Sequence, residues 1–164
     1  MDNRRFLESY GGQSIEELIA LEPRFRLDSL VLAIEKALAG RQDPNAEELT
    51  VLAIEALERE VDAGGFVRFF ASSSSRFAPC LVHALTTIGC PKTALIAQRA
   101  IEALRVDGPL TAQSIALALA IDDEERDDTF DQCDRDYDLG EEEPISDKLF
   151  VFVKAHSSRI RVGS

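Results

Sequence analysis

Apolar residues recur along most of the chain at the three- and four-residue spacing of an α-helix. One series shows this spacing clearly: Leu27, Leu30, Val31, Ile34 and Leu38. Capping boxes at Ser14 and Asn45 mark helix starts, and glycines mark helix ends at Gly40, Gly64-Gly65, Gly89 and Gly108. The pattern predicts an all-α fold, in which a single compact domain of about seven to nine helices spans residues 1–164.

Two apolar segments require a choice between elements. Ile115–Ile121 is the longest apolar run, is far too short to cross a bilayer, and predicts a central buried helix. Leu149–Val153 would suit a β-strand. However, Pro144 suits a first helical turn, and one helical face collects Ile145, Leu149, Phe152, Val153 and His156. The second segment is therefore predicted to be a helix.

The stretch Gly64–Ser75, GGFVRFFASSSS, invites comparison with a phosphate-binding loop. No strand precedes its glycines, and no Gly-Lys-Ser/Thr follows them, so the comparison fails. Two glycines instead permit the left-handed backbone that lets one helix end and the next begin at a sharp angle. Three phenylalanines would lock this joint, each contributing about 1.5–3 kcal/mol if buried: Phe66, Phe69 and Phe70.

The same stretch carries a family resemblance. Residues 48–104 resemble the core of a family of small helical bacterial proteins known as DNA mimics, through Gly64, Gly65, Phe66, Phe69, Phe70, Ser72–Ser75, Ile88 and Gly89. Arg68 and Ala71 depart from the family pattern, which has polar amides at these places. The resemblance implies an all-α domain and a nonenzymatic role. It is also compatible with a homodimer. Its matching residues are structural, so it assigns no binding residue.

Charge is concentrated in one acidic segment, residues 122–143. Thirteen of its 22 residues are Asp or Glu, against Arg126 and Arg135, so it holds −11 of the net charge of −12. Such a negative balance disfavours nucleic acid and anionic membranes as partners and favours a basic protein surface. The predicted partner-binding residues are all thirteen: Asp122, Asp123, Glu124, Glu125, Asp127, Asp128, Asp131, Asp134, Asp136, Asp138, Glu141, Glu142 and Glu143.

Helical periodicity is visible inside the acidic segment. Phe130, Cys133 and Tyr137 form one stripe that would dock a helix, and Leu139-Gly140 would end it. A neighbouring stripe would point carboxylates outward: Asp127, Asp131, Asp134 and Asp138. If all 22 residues were helical, they would span about 33 Å, with one carboxylate per roughly 2.5 Å. Duplex DNA carries one charge per about 1.7 Å, and each of its strands one per about 3.4 Å.

These features predict a DNA mimic that occupies the basic DNA-binding face of a protein such as a helix-turn-helix transcription regulator. Two alternatives remain open: an acidic immunity-type inhibitor of a nuclease, and a helical domain whose acidic segment only confers solubility. Internal neutralisation is a further interpretation, but four nearby bases cannot cancel thirteen acids: Lys148, Lys154, Arg159 and Arg161.

Enzyme chemistry finds little support, and no catalytic residue, cofactor or metal site is predicted. Asp134, Asp136 and Asp138 match the first positions of a calcium loop, but Ile145 stands where the bidentate Glu belongs. Cys80 and His83 are predicted to form a buried structural pair, and Cys90 and Cys133 complete a set of thiols without a CxxC motif. Reduced thiols and the polar residues 1–10 favour a cytoplasmic location.

Overall fold

Eight α-helices account for most of residues 2–139 and 142–163, which are the residues described by this computed structural model. In chain order they are α1 (Ile15–Ala20), α2 (Leu27–Leu38), α3 (Ala46–Ala71), α4 (Ala78–Thr87), α5 (Pro91–Ala103), α6 (Ala112–Leu119), α7 (Glu124–Asp138) and α8 (Ile145–Ala155). Short 3₁₀ turns cover Ser73–Phe77 and Ser157–Arg159. The predicted all-α fold is confirmed, and eight helices lie within the predicted range.

Helix α3 is the central element, since α2, α4, α6, α7 and α8 all pack against it. Its start carries the predicted capping box, in which Asn45 Oδ1 accepts from Glu48 N and Glu48 Oε1 accepts from Asn45 N. Its axis kinks where Gly65 adopts the left-handed φ of +77°. The predicted glycine joint is therefore confirmed.

A single hydrophobic core draws buried residues from all eight helices. Phe66, Phe69 and Phe70 fill the region beyond the kink and are at most 2% exposed. At the C-terminal end, α8 contributes Leu149 and Phe150, both fully buried. The predicted C-terminal helix is thus confirmed, because its apolar face is needed to complete the core.

The prediction of a central buried helix at Ile115–Ile121 is wrong. Only Ile115 is fully buried on α6, whereas Leu117 is 64% exposed and Ile121, just beyond the helix, is 67% exposed. The helix lies at the surface against α3 and the first 3₁₀ turn, so its other side has no neighbour in the described part of the chain. Hydrophobicity all around a helix indicates burial only when elements cover both sides.

α2 ends at the predicted place, since Gly40 directly follows its C-cap residue Ala39, although Gly40 has no positive φ. One smaller expectation fails. Cys80 and His83 do not form a buried pair, because His83 is exposed and Cys80 is half-buried. The thiol of Cys80 instead donates to the carbonyl oxygen of Phe77 at 3.3 Å.

Candidate functional site

The acidic helix α7 is docked by the predicted aromatic stripe. The ring of Phe130 stacks on Phe70 with centroids 5.4 Å apart, and the ring of Tyr137 meets Phe66 edge-on at 6.1 Å. Cys133 lies between them and is fully buried. These contacts join α7 to the segment just beyond the α3 kink, so the predicted docking face is confirmed.

Asp134 ties the same helix to the glycine joint. Its Oδ1 accepts a hydrogen bond of 2.8 Å from the backbone N of Phe66, the first amide after the kink. A Cβ atom on Gly65 would lie 2.3 Å from Asp134 Oδ2, so only glycine leaves room for this carboxylate. Desolvation raises the pKa of Asp134, although the Phe66 amide acts in the opposite direction. Asp134 therefore points inward, and its predicted place in the outward stripe is wrong.

Arg126 fixes the N-terminal end of α7. The side chain is only 7% exposed, and its Nη1 donates to the carbonyl oxygens of Ala118 and Ile121 at 3.0 and 2.8 Å. Its Nη2 also lies 3.1 Å from Asp127 Oδ1. Arg126 thereby caps the end of α6 from the first turn of α7. The sequence interpretation counted Arg126 only as a counter-charge, although an arginine shortly after an apolar helix is a typical C-terminal cap.

Carboxylates at both ends of the segment cap helices. Asp123 Oδ1 accepts from Arg126 N at 3.0 Å, and this backbone hydrogen bond is the main reason that the pKa of Asp123 is lowered. Glu143 accepts from the backbone N of Lys92 and of Thr93, at 3.0 and 2.8 Å, and so caps the start of α5. Desolvation acts to raise the pKa of Glu143, but these hydrogen bonds outweigh it and lower the pKa.

Ion pairs hold a further set of the acidic residues. Asp136 pairs with Arg99 at 2.5 Å, and Glu142 pairs with Lys92. Arg105 reaches Glu125 at 2.8 Å. Each of these partners lies on α5 or just beyond its end. Helix α5 thus supplies the positive charge that orders one side of the acidic segment.

Five of the exposed acidic residues of the segment form no ion pair within the described residues: Asp122, Glu124, Asp128, Asp131 and Asp138. The last four follow the spacing i, i+4, i+7 and i+14, so they lie on one face of α7 together with Arg135. We call these four residues the acidic stripe. Glu141 and the predicted stop at Gly140 lie outside the described residues.

The charge spacing on α7 can be compared with that of DNA. The helix has 15 residues rather than 22, and it exposes six carboxylates: those of the acidic stripe together with Glu125 and Asp127. Fifteen residues give the helix a length of about 22 Å, which is one exposed carboxylate per roughly 3.7 Å on average. This average is close to the axial spacing of about 3.4 Å along one DNA strand, and is somewhat less than half the density of the duplex.

The comparison with known families supports the same view of the molecule. Residues 42–156, about 70% of the chain, match the sequence model of the family described as DMP19-like protein. The chain belongs to this family. DMP19-like proteins are DNA mimics and are not an enzyme family. No curated protein and no solved structure matches the chain.

The four basic residues proposed to neutralise the acidic segment do not pair with it in this DMP19-like protein. Lys154 pairs with Glu22, Arg159 with Glu47, and Arg161 with Glu48, while Lys148 forms no ion pair in the described part of the chain. That interpretation is wrong because the bases that follow the segment pair with acidic residues just after α1 and at the start of α3. The neutralising charges come from Lys92, Arg99 and Arg105, 17 to 30 residues before the segment.

The described residues give no support for reactive thiols, a metal site or a membrane-spanning helix. Desolvation raises the pKa of the thiols of Cys80, Cys90 and Cys133, that of Cys90 to about 11, so all three are neutral at physiological pH. Asp134, Asp136 and the residues around them are helical rather than looped, and no group of His, Cys, Asp and Glu in 2–139 and 142–163 has the arrangement of a metal site. Among the helices that the structure describes, none is both long and apolar enough to span a bilayer.

Proposed function

We propose that this protein is a DNA mimic whose acidic segment occupies the basic DNA-binding face of a protein such as a helix-turn-helix transcription regulator. The observation that carries the proposal is the set of six exposed carboxylates on α7, which average one per roughly 3.7 Å along a helix docked by aromatic residues. A flexible acidic tail would lose conformational entropy on binding, whereas a docked helix presents its charges already ordered.

The thirteen acidic residues divide between contact and support in this proposal. Asp122, Glu125, Asp127 and the acidic stripe supply the charges that replace phosphates. Asp123, Asp134 and Glu143 hold the surface in place through backbone amides, and Asp136 and Glu142 hold it through α5. Glu141 adds its charge to the contact set. The support residues also explain why the segment tolerates like charges at i, i+4, which cost roughly 0.2–0.5 kcal/mol each.

The proposed mechanism is competition by electrostatic complementarity. Arginines and lysines that bind DNA phosphates also bind carboxylates through charge-assisted hydrogen bonds, and arginine does so with two parallel bonds. The negative surface speeds association with a basic partner, and salt weakens it steeply. While the acidic segment occupies the basic face, DNA is excluded from it by mass action.

A partner-capture experiment with a charge variant tests the proposal. The stripe variant combines Glu124→Gln, Asp128→Asn, Asp131→Asn and Asp138→Asn, all at exposed positions without ion pairs in the described chain. A matched control makes the same change in net charge at exposed positions elsewhere: Glu8→Gln, Glu16→Gln, Glu17→Gln and Asp107→Asn. Each immobilised protein is incubated with native bacterial lysate, and bound proteins are eluted first with duplex DNA and then with salt.

Wild type and control are expected to release nucleic-acid-binding proteins on addition of duplex DNA, and the stripe variant is expected to retain few of them. Elution by DNA matters because it requires the captured protein to use one face for both ligands. A nuclease as the main DNA-eluted protein would favour the inhibitor alternative. Equal capture by the stripe variant and wild type would leave only the solubility interpretation and would refute the proposed function.

A further inference from the structure

Helix α6 leaves an apolar face uncovered beside the acidic segment. Its exposed positions recur at i, i+1, i+4 and i+5, so they form two neighbouring rows. One row contains Gln113 and Leu117 and is continued by Ile121. The other row consists of three alanines: Ala112, Ala116 and Ala120. Leu117 and Ile121 are each about two-thirds exposed. Adjacent exposed apolar side chains of this size typically mark an interaction site.

The alanine row forms one wall of a groove of about 520 Å³. The opposite wall comes from the end of α3 and the 3₁₀ turn, through Phe70, Ser72 and Ser75. Small alanine side chains let another backbone approach closely, and the row of Leu117 and Ile121 stands at the outer side of the helix. The shape suits an amphipathic helix whose apolar residues, spaced at i, i+3 and i+4, lie across α6.

The apolar face and the acidic segment adjoin where α6 ends and α7 begins. Ile121 and Asp122 are adjacent and both exposed, and Glu124 follows at the start of α7. Arg126 fixes this junction, because its guanidinium binds the carbonyl oxygens of Ala118 and Ile121. A ligand that covers Leu117 and extends along α7 therefore meets apolar side chains first and unpaired carboxylates next.

We propose that the α6 face binds the apolar side of a basic amphipathic helix, whose Lys and Arg side chains bind the acidic stripe. The inference rests on the proposed function and specifies the contacted part of the partner: a helix of the DNA-binding protein itself. Charge complementarity selects this occupant, since the surface next to α6 is negative and a helix rich in Lys and Arg is what DNA-binding proteins present to phosphates. A second copy of this chain fits poorly, because it would bring another net charge of −12 and another acidic stripe to the same place.

Two synthetic peptides and full-length protein variants test the inference by titration calorimetry. The first peptide is an 18-residue helix with four leucines on one face and arginine on the other, and the second replaces the leucines with alanine, which preserves helix propensity. Leu117→Gln is the test variant. Val151→Gln is its matched control, since Val151 is 60% exposed on α8 and Leu117 is 64% exposed. The stripe variant completes the set.

The leucine peptide is expected to bind Leu117→Gln about tenfold or more weakly than it binds wild type, because a leucine loses its burial. Val151→Gln is expected to bind the leucine peptide with the same affinity as wild type does. The alanine peptide is expected to bind Leu117→Gln and wild type equally. Equal affinity of the leucine peptide for Leu117→Gln and wild type would overturn the inference. So would sedimentation showing that wild type self-associates and that Leu117→Gln abolishes the association.

The stripe variant separates this inference from the proposed function. If it loses affinity for both peptides while Leu117→Gln changes nothing, the electrostatic proposal stands and the apolar contact fails. If the stripe variant binds both peptides like wild type, the acidic stripe does not recognise a basic helix. The inference would then be refuted, and the proposed function could no longer support it.

Discussion

Replacing Gly65 with alanine should destabilise the fold strongly, through two separable effects. Alanine at a φ of +77° and a ψ of −173° occupies a region that is essentially confined to glycine, which costs about 1–3 kcal/mol. The added Cβ would also lie 2.3 Å from Asp134 Oδ2, so the carboxylate must move away from the amide of Phe66. Loss of a hydrogen bond to a charged acceptor costs about 1.5–3 kcal/mol. The expected total is a loss of about 2.5–6 kcal/mol in unfolding free energy.

A double-mutant cycle distinguishes the two effects. In an Asp134→Ala background no carboxylate remains to be displaced, so Gly65→Ala should cost only the backbone part, about 1–3 kcal/mol. Urea unfolding followed by circular dichroism measures all four proteins, because the fold is helical. Gly40→Ala is the control, since Gly40 has no positive φ and nothing lies within 4 Å of its added Cβ. It should change stability by less than about 1 kcal/mol.

The reasoning would be refuted if Gly65→Ala cost the same in both backgrounds. The kink would then be a local backbone feature, independent of the acidic helix. A cost below about 1 kcal/mol in wild type would contradict the assigned conformation itself.

Two further predictions concern buried charge. Arg126→Ala should lower the unfolding free energy by about 1.5–3 kcal/mol, since the carbonyl oxygens of Ala118 and Ile121 lose their donor. Arg126→Lys should rescue it only in part, because a single ammonium nitrogen cannot bind the two carbonyl oxygens as Nη1 does and also reach Asp127 as Nε and Nη2 do. Full rescue by lysine in urea unfolding would argue against the bridging role. Desolvation, together with the charge of Glu35, raises the pKa of Glu55 to about 8 from the usual 4.5. The folded state therefore binds a proton that the unfolded state releases, and stability should fall by roughly 3–5 kcal/mol as pH rises from 5 to 8. Glu55→Gln should remove the part of the slope that Glu55 contributes and leave a smaller slope from Glu58, whose pKa desolvation raises to about 7. An unchanged slope would show that Glu55 does not contribute to it.

Helix positions and the docking of α7 were predictable because they depend on local spacing. Phe130, Cys133 and Tyr137 recur at helical intervals, and Asn45 lies three residues before Glu48, so both features can be identified without knowledge of the partner elements. The glycine joint was predictable for the same reason, since two adjacent glycines after an apolar helix favour a change of direction.

The failures share a dependence on long-range contacts. The exposure of Leu117 depends on where the remaining helices pack, and the sequence of α6 contains no sign of it. The inward direction of Asp134 depends on Phe66, which lies 68 residues earlier in the chain. Likewise, the basic partners of the acidic segment come from Arg99 and its neighbours rather than from the bases that follow it. Periodicity places side chains on a helix face, but it does not identify what lies opposite that face.

The bond between Asp134 and the amide of Phe66 has a consequence for where the mimicry resides. A peptide excised as residues 122–143 would keep every negative charge but would lose Phe66, Phe70, Lys92 and Thr93, to which it is fastened. Repulsion between its aspartates would then unwind it, and the ordered arrangement of carboxylates would disappear with the helix. The proposed imitation of a nucleic acid strand would therefore be a property of the whole domain, and it would not be transferred with the acidic segment alone.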